Sequence, residues 1–338
     1  MSSAPVQLLD FRPKDNTMTL DHVERVIGRY VGPDHPDAVH RLFSDHLETG
    51  GKRLRARIAL AAGRALGVWP DSVCSWAAAV EVMHNATLIH DDIQDGDRMR
   101  RGRPTTWALH GVGQAINVGD FGLMVPFVIV NDMDAKPRVR SELSGLIARR
   151  GIRAAQGQHL SLSMLAARRF NRHDYLQCVS GTTGAFFTLP VEGCALLAGY
   201  WPDDAQALGR CFKPLGTLFQ VQDDVLDLFG DKGRDEAGND LRDGKVSALV
   251  VRHLEMRPAD ASWLVPLLER ERHLTSNADV ERATEAFEKS GALHGCLQDI
   301  DDLVCEIADN PLLEDHPAFR SMALNCVELA LRPIEGIR

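Results

Sequence analysis

Ala77-Ala-Ala-Val-Glu-Val-Met-His-Asn-Ala-Thr-Leu-Ile-His-Asp-Asp-Ile-Gln-Asp95 is rich in strong helix formers and keeps its apolar residues three and four apart, so it predicts a helix. That helix ends in carboxylates. Asp91 and Asp95, four residues apart, share one face about a turn from each other. Asp92 lies about 100° round from Asp91 but three residues from Asp95, so it can flank the same place. The stretch from Phe212 to Phe229 repeats the helical pattern with Leu215, Leu218, Phe219, Leu226 and Phe229, and it carries Asp223, Asp224 and Asp227 at the same spacing. Ile89 to Asp95 and Val221 to Asp227 thus share one pattern, while the rest of the chain does not repeat and is no solenoid.

Three carboxylates within a turn repel one another, and like charges at this spacing destabilise a helix. Each cluster is flanked by apolar residues, so water alone does not disperse the repulsion, and a cation is the natural remedy. A single Asp-Asp-x-x-Asp reads as readily as a helix end or a solvated acidic turn. Two copies, each closing a long apolar helix, favour the cation. All-oxygen donors select magnesium, manganese or calcium over zinc, and magnesium takes one or two carboxylates and fills its shell with water and phosphate oxygens. The candidate metal ligands are Asp91, Asp92, Asp95, Asp223, Asp224 and Asp227.

Basic clusters accompany the acidic ones. Gly50-Gly51-Lys52-Arg53-Leu54-Arg55 combines glycines, which allow close backbone approach, with cations that can grip a phosphate. It is not a Walker loop, because Arg53 rather than Ser or Thr follows Lys52. Arg98-Met99-Arg100-Arg101-Gly102-Arg103 follows the first acidic cluster, and Lys232, Arg234, Arg242 and Lys245 follow the second. Each basic cluster taken singly reads equally as a surface face paired with nearby acids. Together, alternating acid and base suits an anion held partly through metal ions and partly by Lys and Arg.

Breakers divide the remaining chain. Gly50-Gly51 precedes a helix, and Gly96 to Pro104 and Gly230 to Gly244 read as loops. Pro126 and Pro190 fall inside apolar helical patterns and predict a kink or a break in each. No segment alternates strictly, so no sheet is expected. Residues 1–18 read as a polar lead-in and 19–338 as one all-α domain. The chain of 338 residues, 44% hydrophobic and 25% charged, has the composition of a soluble globular protein. A net charge of −9 argues against nucleic acid as partner. Cys74, Cys178, Cys194, Cys211, Cys296, Cys305 and Cys326 contain no Cys-x-x-Cys pair, so zinc is not indicated, and a scattered odd set fits buried thiols in a cytoplasmic protein. The start Met1-Ser-Ser-Ala-Pro5 does not read as a signal peptide, and no apolar run reaches the roughly 18 residues of a membrane span.

At these residues the chain resembles the trans-prenyl diphosphate synthases, the polyprenyl synthetase family, and among them the short-chain type that makes farnesyl and geranylgeranyl diphosphate. The resemblance runs in order through Gly50 to Arg55, Glu81 to Asp95, Arg100 to Thr105, Gln114 to Asp120, Gly157-Gln158, Phe219 to Asp227 and Asp240 to Lys245, which is well over half of the chain. It implies roughly a dozen helices around a central cavity, the isoprenoid synthase fold, usually as a homodimer. The two aspartate clusters would face each other across the cavity mouth. Asp91, Asp95 and Asp223 would ligate three magnesium ions, with manganese as a substitute, and these would hold the allylic diphosphate. Arg100 and Lys245 would touch that diphosphate. Lys52, Arg55, His84 and Arg101 would bind isopentenyl diphosphate, and Gln220 would lie near the allylic group. The implied reaction is ionisation of the allylic diphosphate, attack by the double bond of isopentenyl diphosphate, and proton loss to the departing diphosphate, with no protein nucleophile. The pattern departs at Thr182-Thr183, where the family commonly has Lys-Thr, and in Gly233 to Asp240, where one residue is extra and Arg234 or Asp235 stands at the usual lysine.

Other residues carry weaker signals. His90, beside Asp91, reads as a local hydrogen-bonding residue, and the sequon Asn85-Ala86-Thr87 lies on a helix and is discounted. Trp69, Trp76, Trp107, Trp201 and Trp263 share no spacing and read mostly as core, while Met124 and Phe127 suit core or cavity wall equally. The product tail would pass Thr87 and Ala86, one turn before Asp91, and Met83 a turn further. Small residues there predict a product longer than C15, with C20 favoured over C15 or longer chains. A class I terpene cyclase is the main rival, but it would not need Lys52, Arg55, His84 and Arg101. A non-catalytic synthase subunit is the second rival, and it would not be expected to keep both clusters.

Overall fold

The computed structural model describes residues 18–230 and 237–338. In chain order the helices begin with α1 (Leu20–Val31), α2 (Ala38–Leu47), α3 (Leu54–Ala65), α4 (Pro70–Gln94), α5 (Thr106–His110) and α6 (Val112–Asp132). They continue with α7 (Pro137–Met164), α8 (Arg172–Gly181), α9 (Thr183–Leu197), α10 (Pro202–Arg210), α11 (Lys213–Phe229) and α12 (Asn239–Arg242). The last are α13 (Ala248–Met256), α14 (Ala261–Leu268), α15 (Asn277–Ser290), α16 (Ala292–Ala308), α17 (Pro311–Glu314) and α18 (Pro317–Leu331). The fold is all-α, as the helical periodicity indicates. One departure is a two-stranded hairpin, β1 (Met99–Arg100) and β2 (Arg103–Pro104), pairing Met99 with Pro104 and Arg100 with Arg103. It occupies the segment read as a loop.

The helices form two compact units. The first contains the residues up to Ala148 together with Leu189–Arg210. Its axis is α4, which starts on Pro70, a residue suited to the first helical turn, and buries Val73, Trp76, Val80, Met83 and Ala86. Burial on nearly every side lets α1, α3 and α6 pack around it. The Trp76 indole donates to the Pro190 carbonyl at 3.1 Å. Both α6 and α9 run unbroken through Pro126 and Pro190, so neither proline interrupts its helix. Among the described residues α6 alone is long and apolar enough to cross a membrane. It carries Asn117 and Asp120, however, and packs Ala115, Val118, Val125 and Ile129 into the unit.

The second unit contains Arg149–Thr188 and Cys211–Arg338 and is organised on α11. That helix buries Leu215, Leu218, Val221, Val225 and Leu226 and packs against α8, α13, α16 and α18. At Gly216 a β-carbon would lie 2.5 Å from the Gly184 α-carbon, so only glycine lets α9 and α11 meet backbone to backbone there.

Candidate active site

In the first unit the site is built on the end of α2, the start of α3, the end of α4 and the hairpin. After α2 the chain turns through Gly50 (φ 90°), Gly51 (φ 132°) and Arg53 (φ 46°). A β-carbon on Gly51 would fall 2.5 Å from Arg101 Nη1, so the second glycine makes room for that guanidinium, which donates to the Gly50 carbonyl. Arg101 (φ 52°) and Gly102 (φ 76°) are the two central residues of the hairpin turn, and positive φ at both is what a tight two-residue turn needs. Arg53 donates to Leu47 O at 3.1 Å and to Glu24 Oε1 at 2.7 Å. Lys52 is exposed, and Arg55 and His84 are half-buried in the same neighbourhood.

This concentration of positive charge acts on the histidines inside it. Burial first, then Arg55, Arg100, Arg101 and His46, holds His84 well below the usual imidazole range. Burial, then Arg100, Arg101 and Arg53, pushes His46 down to about 3. Both rings are neutral at physiological pH, and the positive field around them is suited to an anion.

The carboxylates ending α4 divide. Asp91 and Asp95 are partly exposed, while Asp92 is 1% exposed. Arg100 grips Asp92 Oδ1 with Nε at 2.7 Å and Nη2 at 2.6 Å, and Asp92 Oδ2 is buried without a hydrogen-bond partner. Burial pushes the Asp92 carboxyl up to about 6 against the pull of Arg100. His90 turns from the cluster to α6, with Nε2 3.4 Å from Ile116 O and 3.4 Å from Asp120 Oδ1. Its ring fits because residue 119 is glycine, where a β-carbon would lie 2.3 Å from Nε2. Ala86 is fully buried: a β-carbon on Gly122 would lie 2.8 Å from the Ala86 methyl and 2.2 Å from the Phe43 ring.

The second unit repeats the division. Asp223 is exposed, while Asp224 and Asp227 are each 4% exposed. Asp224 Oδ2 accepts from Tyr175 Oη at 2.8 Å and from Ala248 N at 2.7 Å, and Oδ1 accepts from Gln220 Nε2 at 2.9 Å. Gln220 Oε1 in turn accepts from Thr183 Oγ1 at 3.0 Å. Burial, then the Asp240 carboxylate, raises the Asp224 pKa, and the three donors oppose the rise. Thr182 bonds Cys178 O at 3.1 Å. Asp227 Oδ2 accepts from Asp240 N at 3.0 Å, and Lys245 Nζ lies 3.6 Å from Asp240 Oδ1. Arg242 is buried and donates to Thr275 O and Asn277 Oδ1, a structural role that the basic spacing does not disclose. Lys232, Arg234 and Asp235 lie outside the described residues. A cavity of about 310 Å³ in this unit is lined by Tyr175 and Ala248, the two donors to Asp224 Oδ2, with Arg172, Lys213, Arg252 and Asp299 among its other walls.

Among the described residues no three or more His, Cys, Asp or Glu side chains gather around one ion position. The first unit offers a pair of half-exposed carboxylates one turn apart, and the second unit, taken by itself, offers the exposed Asp223 on α11. Each fits magnesium, which binds one or two carboxylates and completes its octahedron with water and phosphate. Sequence reasoning missed His46, Thr49 and Tyr175. Their only sequence signal is position, since His46 and Thr49 immediately precede the glycine pair and Tyr175 lies one short helix before the threonine pair.

The polyprenyl synthetase family model matches residues 36–287. A geranylgeranyl diphosphate synthase of Mycobacterium tuberculosis is 35% identical over 265 residues, 73% of this chain and 70% of the relative. An all-trans-nonaprenyl-diphosphate synthase (geranyl-diphosphate specific) of Rhodobacter capsulatus is 29% identical over 292 residues, 86% of this chain and 87% of the relative. Among solved structures, a polyprenyl synthase from Caulobacter crescentus complexed with calcium and isoprenyl diphosphate superposes with a TM-score of 0.79 at 28% identity, covering 94% of this chain and 99% of that one. The matched span takes in both aspartate clusters and every basic segment around them, and by it the chain belongs to the polyprenyl synthetase family.

Proposed function

We propose that this prenyltransferase condenses isopentenyl diphosphate with an allylic diphosphate in a magnesium-dependent reaction, with geranylgeranyl diphosphate (C20) as its main product. The observation that carries the reading is the pairing of two half-exposed carboxylates, Asp91 and Asp95, with a cluster of arginines around two histidines that burial, and then those cations, keep neutral. Carboxylates for metal beside cations for phosphate are the two halves of a metal–diphosphate site.

Lys52, Arg55, His84 and Arg101 bind isopentenyl diphosphate in this reading. His84, kept neutral, contributes a hydrogen bond without adding to the repulsion among the arginines. Asp91, Asp95 and Asp223 hold up to three magnesium ions, with manganese as a substitute. Bound magnesium supplies positive charge that stabilises the leaving diphosphate. Arg100, oriented by Asp92, and Lys245, oriented by Asp240, are the proposed protein contacts of the allylic diphosphate. Thr183 fixes the Gln220 amide beside Asp224, so that Gln220 presents a defined face to the allylic group. Thr182 replaces the usual lysine with a hydroxyl, so one cation fewer holds the leaving group. The chain's work is positioning and electrostatic stabilisation, and the proton lost in the last step goes to the released diphosphate rather than to a side chain.

The C20 assignment rests on the small residue Thr87 and on the M. tuberculosis relative's name, while Ala86 is packed in beside Gly122 and Phe43 and lends it nothing. A longer product is the second reading, favoured by the R. capsulatus relative. Incubation with magnesium, isopentenyl diphosphate and each allylic diphosphate from C5 to C20, followed by mass analysis, tests both. A ladder ending at C20 supports the first reading, one running on supports the second, and no condensation at all rejects the function. The proposed assembly is a homodimer, supported by the exposed apolar residues Ile116, Met124 and Val128 along α6, which a second copy would cover. A cytoplasmic location is supported by seven free cysteines, six of them buried.

A further inference from the structure

His46 and Thr49 lie at the end of α2, and each holds a polar atom that no described residue satisfies. His46 Nε2 and Thr49 Oγ1 are buried without hydrogen-bond partners, and the whole His46 residue is 4% exposed. A buried polar group left unpaired is costly, and such groups are rare unless a ligand or an ordered water completes them.

Their surroundings indicate which ligand. Arg53 reaches back to the Leu47 carbonyl at 3.1 Å, and Arg101 reaches back to the Gly50 carbonyl. The two guanidiniums are therefore tied to the backbone just after His46, at residues 47 and 50. Gly51 leaves space for the Arg101 fork, and the side chains of Arg53 and Arg101 are two of the three charges that act on the His46 ring. The His46 ring thus sits among Arg53, Arg100 and Arg101 and acts in turn on His84, and Thr49 directly precedes the Gly50 carbonyl that Arg101 holds. Asp92 Oδ2 and Asn85 Oδ1, on the last turns of α4, are also buried and unpaired.

We propose that His46 and Thr49 are further ligands of the isopentenyl diphosphate site, donating from Nε2–H and Oγ1–H to the diphosphate, directly or through one bridging water. The inference rests on the function proposed above only for the identity of the ligand. Neutral donors have a clear purpose there. Arginines and Lys52 already supply the charge, and another cation would add repulsion in the empty site, whereas a hydroxyl and a neutral imidazole add hydrogen bonds at no such cost.

The test uses Thr49→Val, His46→Leu and His46→Gln in the full chain, with binding of isopentenyl diphosphate and of inorganic diphosphate measured by titration calorimetry. Thr49→Val keeps shape and loses the hydroxyl, while the glutamine amide nitrogen can occupy the place of Nε2. The expected result is ~10-fold or weaker binding in Thr49→Val and His46→Leu, with recovery in His46→Gln. The Tm of the free Thr49→Val protein should be unchanged or raised, because an unsatisfied hydroxyl has been removed. A lowered Tm with unchanged binding would show a purely structural role and overturn the proposal, as would binding within twofold of wild type in both variants, or no binding by the wild type. Calorimetry does not depend on turnover. A wild type that binds isopentenyl diphosphate without condensing it would reject the proposed reaction, and the variants would still decide this site.

Discussion

Tyr175→Phe removes one hydroxyl from the second aspartate cluster without altering ring packing. Tyr175 is 6% exposed, and its hydroxyl is one of three donors to the buried Asp224 carboxylate. A hydrogen bond to a charged buried acceptor contributes about 1.5–3 kcal/mol, so a chain of this size should lose roughly 2–4 °C of Tm. The pH dependence makes the prediction specific. Asp224 has a folded pKa raised above its unfolded value, so between the two the unfolded chain has released a proton that the folded one retains. Stability therefore falls as pH rises through that window and is flat above it. Losing the tyrosine donor raises the folded pKa further and extends the window upward. The penalty of Tyr175→Phe should be small at pH 5.5, where Asp224 is protonated in the folded protein, and much larger near pH 8.5. Calorimetric scans of wild type and variant in chelator at the two pH values measure it. An equal penalty at both, or none at either, refutes the placement of Asp224 as a buried carboxylate held by its neighbours.

Further outcomes follow from the same geometry. Gly119→Ala drives a methyl into the His90 ring and should cost about 1–3 kcal/mol, with stability recovered in the Gly119→Ala/His90→Ala double variant; denaturant melts of the three proteins decide this. His46 is buried with a folded pKa of about 3, so the unfolded chain takes up a proton first and stability is lost as pH falls below about 6.5. At pH 5 that loss is roughly 2 kcal/mol from this residue, and His46→Leu should flatten the pH dependence of Tm by a corresponding amount. Asp91→Ala, Asp95→Ala and Asp223→Ala should each lower kcat by ~10²–10³ and raise the magnesium needed for half-maximal rate, whereas a chelator-insensitive wild type would count against the metal assignment. Ala86→Phe should lower Tm by several degrees, since Phe43 and Gly122 leave little room, and thermal melts showing an unchanged Tm would count against that close packing.

Periodicity alone discloses α4 and α11, because both keep apolar residues three and four apart for several turns and end at a recognisable acid run. It does not disclose that α6 and α9 continue through their prolines. A helix can lose one donor where neighbouring packing holds it, and Pro126 is itself buried. The hairpin carrying Arg100 and Arg101 was illegible for a different reason. Two residues per strand are too few to show alternation, and the decisive feature is positive φ at an arginine, which nothing in residue type indicates. Ala86 shows a third limit. Its small size suggests space, but size says nothing about what fills that space, and Phe43 arrives from another helix.

The six acidic positions look equivalent in sequence and are not equivalent in the fold, and the difference accounts for the order of the motifs. Asp91, Asp95 and Asp223 are exposed or partly so, which leaves them open to the proposed magnesium ions. The buried acids instead hold what comes next in the chain. Asp92 fastens Arg100, eight residues on, and with it the hairpin that presents Arg101. Asp227 accepts from the Asp240 backbone; the Asp240 carbonyl then accepts from Lys245 N at 2.8 Å, and its side chain lies beside Lys245 Nζ. Asp224 ties Gln220 and Thr183 to the start of α13 through Ala248. A basic segment placed shortly after each acidic one is thus within reach of a carboxylate that can anchor it. Alternation along the sequence becomes a division of labour in space, with one set of acids open to cations and the other setting the position of the arginines and lysine. Replacing a buried acid should therefore impair diphosphate binding through its basic partner rather than through lost metal, and raising magnesium should not rescue it.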